Sequence, residues 1–275
     1  MKANAAGWDL EIAREFPASG EWRDGGPLGI SCAALAQTGQ PPETFYPADA
    51  LSDVPLLFYS GNAMAPGEAR VMADRLRELQ GQGVTLVTWN GLGFDFPVLA
   101  QECQDPGYTR MLAEVALAHV DIGFAMLCDK GYMIGLNAAA KGLKLSGKLE
   151  GMAGALAPVL WNSTERVLTP TEFTAIRDLQ VEPGTVKARR VCLDYVRQDA
   201  VTTLQVFETL MVDRALYWVT RTGSWVKQPW LPVIINDRLR TCAEANATAL
   251  PDTSWMTFSP PSRDSAIGWA LEALG

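Results

Sequence analysis

Three short acidic segments carry the residues whose types and spacing could do chemistry. They are Asp9-Leu10-Glu11, then Asn90-Gly91-Leu92-Gly93-Phe94-Asp95 with Pro97 and Leu99 behind it, and finally Tyr195-Val196-Arg197-Gln198-Asp199. Residues two apart in a strand face the same side, so Asp9 and Glu11 can converge on one cation. Gly91 and Gly93 permit a tight turn, and Asp95 stands where a helix should begin, with Pro97 in its first turn. An N-cap role for Asp95 is compatible with metal binding. Tyr195 and Asp199 are four apart and share one face of a helix. There a phenol can orient or help deprotonate a water while the carboxylate holds a metal. Each segment alone has a bland account: a solvated pair at a strand end, a helix cap, a core tyrosine beside a surface aspartate. Their order along the chain gives them weight together.

Competing chemistries have less to work with. His119 is the single histidine, so a serine or cysteine nucleophile has one possible imidazole base. Cys32, Cys103, Cys128, Cys192 and Cys242 are scattered without a C-x-x-C pair, as expected of buried thiols in a reducing compartment. Gly142 to Leu149 nearly matches a phosphate-binding loop, but Leu149 replaces the hydroxyl that would hold magnesium. Gly91-x-Gly93 lacks the third glycine of a dinucleotide fingerprint, Phe96 standing in its place. Both are read as turns.

The elements that must position the acids follow from pattern. Ala5 to Ile12, Leu28 to Ala36 and Glu43 to Tyr46 read as strands separated by turn residues. Pro66 to Gln80 reads as an amphipathic helix with Val71, Met72, Leu76 and Leu79 on one face. Val84 to Trp89 is a strand that delivers the Asn90 to Asp95 turn. Helices are expected over Phe96 to Gln104, Tyr108 to His119 and Leu136 to Lys144. A long helix from about Lys187 to about Val219 follows Pro183-Gly184. Strands first, then βα alternation and a terminal helix, make an α/β fold with a mixed sheet and helices packed on it.

From Asp213 the composition changes: Trp218, Trp225, Trp230, Trp255 and Trp269 alternate with Pro229, Pro232, Pro251, Pro260 and Pro261. The division expected is residues 1–212 as the main domain and 213–275 as an extension packing on the core, its indoles serving as anchors. An aromatic platform for stacked bases is the alternative.

Hydrophobic residues make up 48% and charged residues 20% of the 275, the balance of a globular chain. No apolar run approaches the roughly 18–20 residues that span a bilayer, and the N-terminus has no signal-peptide apolar region; no membrane partner and a cytoplasmic location are expected. A net charge of −8 argues against coating long duplexes, since phosphate contacts need Lys and Arg. It leaves room for an enzyme that grips a few nucleotides, and a carboxylate cluster itself contributes negative charge.

Taken together, the three segments resemble the DEDD (DnaQ-like) 3′–5′ exonucleases of the ribonuclease H-like fold. Asp9 and Glu11 look like the first motif, Asp95 within Asn90-Gly-Leu-Gly-Phe-Asp like the second, and Tyr195 with Asp199 like the third. Gly135 to Leu143 also resembles the helix carried between the second and third motifs. Asp194 stands where the histidine branch would need His, so the chain looks like the tyrosine (DEDDy) branch. The resemblance covers roughly residues 4 to 212. It departs after Glu11, where Ile12 and Ala13 replace the hydroxyl residue of many relatives.

The resemblance implies a metal-dependent 3′–5′ exonuclease acting on single-stranded DNA or RNA with a free 3′ end. Two divalent cations, Mg²⁺ or Mn²⁺, would be bound by Asp9, Glu11, Asp95 and Asp199, with Asp9 as bridge. Tyr195 would position the attacking water. Asn90 and Phe94 would help hold the terminal nucleotide, and Leu10 would contact its base or sugar. Lys187, Arg189 and Arg190 could meet backbone phosphates or form a solvated helix start. With no polymerase or helicase segment attached, the chain is expected to stand alone or act in trans, any replication or repair partner being open. The alternatives are a catalytically silent nucleic-acid-binding module of the same fold and an unrelated metal phosphatase.

Overall fold

The alternation of one strand sets the plan of the fold. In β1 (Ala5–Ile12), Trp8, Leu10 and Ile12 face one side while Gly7, Asp9 and Glu11 face the other. The computed structural model describes residues 4–17, 26–52, 62–145, 152–162, 166–230, 234–235, 237–257 and 261–275. β2 (Ile30–Gln37) pairs antiparallel with β1, setting Trp8 opposite Leu35, Leu10 opposite Ala33 and Glu11 opposite Cys32. β3 (Glu43–Phe45) extends that edge antiparallel. On the other side β4 (Thr85–Thr88) and β5 (Val120–Asp121) run parallel to β1, giving the order β3-β2-β1-β4-β5. The sheet is mixed, as expected.

Each face buries its own core. α1 (Pro66–Gly81), α2 (Asp95–Cys103) and α3 (Pro106–Ala118) cover the Trp8 face, with Met72, Leu76, Phe96 and Leu112 filling it. Trp8 meets Phe96 edge-on at 4.8 Å. α4 (Ile122–Lys130) follows β5 directly. The opposite face is covered by α5 (Leu136–Gly142), α6 (Ala157–Asn162) and α8 (Val186–Asp213), contributing Leu160, Trp161, Val196 and Leu204. α7 (Pro170–Leu179) lies between α6 and α8 in the chain.

α8 matters most for position, and Gly7 is the reason it can approach. A β-carbon on Gly7 would stand 2.4 Å from the Ala200 carbonyl oxygen and 2.9 Å from the Leu204 nitrogen. Without one, α8 lies directly on the face that carries Asp9 and Glu11. Thr185 caps its start by accepting from the Ala188 N–H.

The structure corrects several expectations. The long helix stops at Asp213, with Arg214 left-handed at φ 53°, and does not reach Val219. Ala215–Val219 is instead strand β6, paired antiparallel with β7 (Trp225–Pro229). Cross-strand pairing of an apolar, aromatic segment outweighs continued helix there. Val71 is not on the buried face of α1; it is 62% exposed, because it stands 100° round the helix from Met72. α4 went unforeseen because residues Ile122 to Cys128 are buried on every side, which erases amphipathic periodicity.

Beyond β7 come the short pair β8 (Ile234–Ile235) and β9 (Arg238–Leu239), then α9 (Cys242–Asn246) and α10 (Arg263–Leu274). The indoles do not all serve as anchors. Trp218 and Trp230 are buried, the Trp230 Nε1–H donating to Asp129, and Trp225, though half exposed, donates to the Gly142 carbonyl, whereas Trp255 is mostly exposed. No helix among the described residues is long and apolar enough to cross a membrane.

Replacing Gly7 with Ala is expected to push α8 away and destabilise the fold by about 1–3 kcal/mol, the usual cost of overpacking. Urea unfolding checks it; an unchanged midpoint would show that α8 does not depend on this contact.

Candidate active site

The site is built where parallel strands end. Thr88 at the end of β4 lies beside Asp121 at the end of β5, and the chain leaving β4 turns through Trp89 to Phe94 into α2. Asp95 is the first residue of α2, with Phe94 at the cap position. Its carboxylate does not cap its own helix from outside; it reaches across to β1, where Oδ1 accepts from the Leu10 N–H at 3.0 Å. One hydrogen bond thus joins residues 85 apart in sequence and sets Asp95 against the backbone between Asp9 and Glu11. Leu10 is corrected accordingly. Its side chain is in the core on the Trp8 face, so its contribution is the N–H, not a contact with a base.

The turn before Asp95 is held from below. Asn90 is left-handed at φ 70°. Asp121 accepts from the N–H groups of Asn90 and Leu92, each at 2.9 Å, and also from Phe124 at the start of its own helix. The Thr88 hydroxyl accepts from the Gly91 N–H at 3.2 Å. A β-carbon on Gly91 would fall 2.6 Å from that of Thr88, so the loop can only lie this close with glycine. Sequence reasoning missed Asp121; an acidic residue opening the apolar run Ile122 to Cys128 was the available signal, as a helix cap.

α8 supplies the third segment. Tyr195 and Asp199 lie one turn apart and both are buried. The Tyr195 hydroxyl is hydrogen-bonded to Asp199, and burial first, then the charges of Glu11, Asp199 and Asp9, push its pKa far up. It is therefore a donor here, placed to orient a group beside Asp199.

Electrostatics shows which acids share a field. Burial pushes the Asp95 carboxyl up to about 7, with Asp121 and Asp199 raising it further against the Leu10 N–H and its own. Asp9, Glu11 and Asp199 all bear on Tyr195. Asp199 is thus the acid common to both, bearing on Asp95 and on Tyr195. As the side chains are placed, no three Asp, Glu, His or Cys groups among the described residues already enclose an ion. The chemistry of the donors still fits a hard divalent cation: oxygen-only, mostly buried, and charged at the cost of mutual repulsion.

Other predicted residues sort differently. Asn90 and Phe94 remain partly exposed at the loop. Phe94 meets Phe16 edge-on at 5.9 Å, and Phe16 is itself about half exposed; the sequence reading passed over Phe16. Arg189 is not free for phosphate, since it donates to the carbonyls of Trp161 and Ala50. Lys187 donates to the Gln180 carbonyl, and Arg190 is exposed. Gly142 backs onto β6, where a β-carbon would meet Trp218 nitrogen at 2.3 Å; the rest of that near-match, from 146 to 149, lies outside the described residues. His119 and Cys242 approach at 3.5 Å, but both are buried. Burial raises the thiol and lowers the imidazole, the reverse of an activated pair. All five cysteines are free and buried.

Residues 53–211, more than half of the chain, match the RNase_H superfamily. That range contains Asp95, Tyr195 and Asp199 and begins after β1. Comparison with curated proteins gives no match. Among solved structures, the family B DNA polymerase of the hyperthermophilic archaeon Pyrobaculum calidifontis superposes with a TM-score of 0.44 at 18% identity. The superposition covers 77% of this chain and 25% of the polymerase chain, so this chain spans a quarter of that protein's length.

The Asp95 carboxyl has a sign that can be tested. Its ordinary value is 3.8 and its value in the fold about 7. Between those values the unfolded chain ionises while the folded one stays protonated, so stability falls as pH rises, on the order of a few kcal/mol. In EDTA, wild type is expected to lose more stability than Asp95→Asn between pH 5 and 7.5 in urea unfolding, and Mn²⁺ to restore it at the upper end. Parallel profiles for the two proteins in EDTA would refute the assignment.

Proposed function

Because the chain belongs to the RNase_H superfamily, we propose that it is a metal-dependent nuclease, and specifically a 3′–5′ exonuclease of the tyrosine branch. The observation that carries this reading is the Leu10 N–H to Asp95 hydrogen bond, which seats the second acidic segment on the first. The Tyr195–Asp199 face of α8 packs over the same strand. Asp9, Glu11, Asp95 and Asp199 would hold two divalent cations, Mg²⁺ or Mn²⁺. When bound, such ions neutralise phosphoryl charge and make water more acidic.

The chain's own residues do the rest. Asp95 and Asp199 come from separate helices and the acidic pair from the sheet, so a scissile phosphate would be approached from both layers. The Tyr195 hydroxyl, its proton directed at Asp199, would orient the attacking water by accepting from it. Phe94 with Phe16 offers an apolar edge for the terminal sugar or base, beside Asn90 at the turn. The net charge of −8 and the commitment of Arg189 to carbonyls suit a short grip on a single-stranded end, DNA or RNA, not a long duplex track.

The test is release of nucleoside 5′-monophosphates from 3′-hydroxyl-ended single strands of DNA and RNA with Mg²⁺ or Mn²⁺, circular strands serving as the control without an end. Linear strands are expected to shorten stepwise and circles to persist. Tyr195→Phe is expected to slow the reaction by about 10- to 100-fold, the range for a group that orients a metal ligand. Asp9→Ala and Asp199→Ala are expected to lose more than that. Full activity in Asp9→Ala would refute the site. Strand binding without release, under either metal, would favour the silent binding module.

A further inference from the structure

The exit from β4 is gripped from above as well as from below. Trp269, on α10, points its indole at the turn that delivers Asp95, and its Nε1–H donates to the Leu92 carbonyl at 2.8 Å. Ala266, nearly one helical turn earlier, lies against Gly93, where an added β-carbon would meet its β-carbon at 3.4 Å. Leu92 is thereby held on both sides of its α-carbon: its N–H by Asp121 and its carbonyl by Trp269. Nothing in a passive cover requires a directed bond to this one residue.

α10 is itself fixed. Arg263, its first residue, is buried, and its guanidinium donates to the carbonyls of Cys128, Thr248 and Ala249. Cys128 lies in α4, the helix that Asp121 opens. α10 therefore spans from α4 to the turn, and both grips on Leu92 are referred to the same helix.

We propose that Trp269 is a positioning residue for the Asn90–Phe94 turn, so that α10 belongs to the working apparatus of the site. Its consequence for catalysis rests on the nuclease reading above; its consequence for the turn does not. With the indole donor removed, the Leu92 carbonyl loses its tether, the turn samples more positions, and Asp95 is presented less sharply to a cation. Trp269→Phe removes the donor while keeping an aromatic ring at the position.

The experiment compares wild type, Trp269→Phe and Leu271→Ala in the full chain, Leu271 being half exposed on the same helix. Amide hydrogen exchange at Asn90 to Gly93 and Mn²⁺ affinity by calorimetry are read alongside the steady-state constants. Trp269→Phe is expected to speed exchange at Leu92 and Gly93 and to weaken Mn²⁺ binding by about five- to ten-fold each, the worth of one hydrogen bond. kcat should fall with KM nearly unchanged, and Leu271→Ala should match wild type throughout. Unchanged exchange in Trp269→Phe, or an equal change in Leu271→Ala, overturns the proposal. If the wild type neither binds Mn²⁺ nor cleaves, the nuclease reading fails and the exchange comparison alone decides the brace. Should Trp269→Phe not fold, Trp269→Tyr, which also lacks the Nε1–H, takes its place and is read the same way.

Discussion

Carboxylates held close together out of water repel one another, and the site has to be strong enough to keep them there. That constraint explains the architecture around Asp95. Its charge is disfavoured by burial and by Asp121 and Asp199, so the backbone must supply what compensation there is, and the Leu10 N–H is the principal donor. A helix start alone could not do this. The bond works because β1 and α2 pack through Trp8 and Phe96, an apolar contact that fixes the distance between donor and acceptor.

The same logic runs through the rest of the scaffold. Asp121 spends both oxygens on backbone N–H groups, acting as a clamp although it contributes charge nearby. Gly7 and Gly91 act by omission, letting a helix and a turn come closer than any side chain would permit. Polar contacts set direction, glycines set separation, and the two apolar cores on either side of the sheet give both their rigidity.

Much of this was legible in the chain. The short apolar segment ending in the acidic pair located β1 to the residue, and Pro66, Pro97 and the glycines marked helix starts and turns. The acidic segments were recognisable because the metal chemistry proposed for them would restrict residue types. What escaped detection had no periodic signal. β5 is two residues long, α4 is apolar all round, and the switch from α8 to β6 depends on a hairpin partner ten residues away. Leu10 shows a different limit: its place between two acids suggested contact with substrate, but strand geometry sends its side chain to the opposite face. The parts that Asp121 and Trp269 play escaped for a third reason, since a cap signal or an indole does not say which distant loop it holds.

The distribution of the buried thiols has a practical side. Cys32 stands opposite Glu11, Cys192 lies one turn before Tyr195, Cys103 closes α2, Cys128 receives Arg263 and Cys242 leans on His119. Shielded sulfurs react with alkylating reagents only when their surroundings open. Each is a reporter placed by the protein itself in a different structural unit, so the order in which they become labelled would chart which parts of the molecule breathe first.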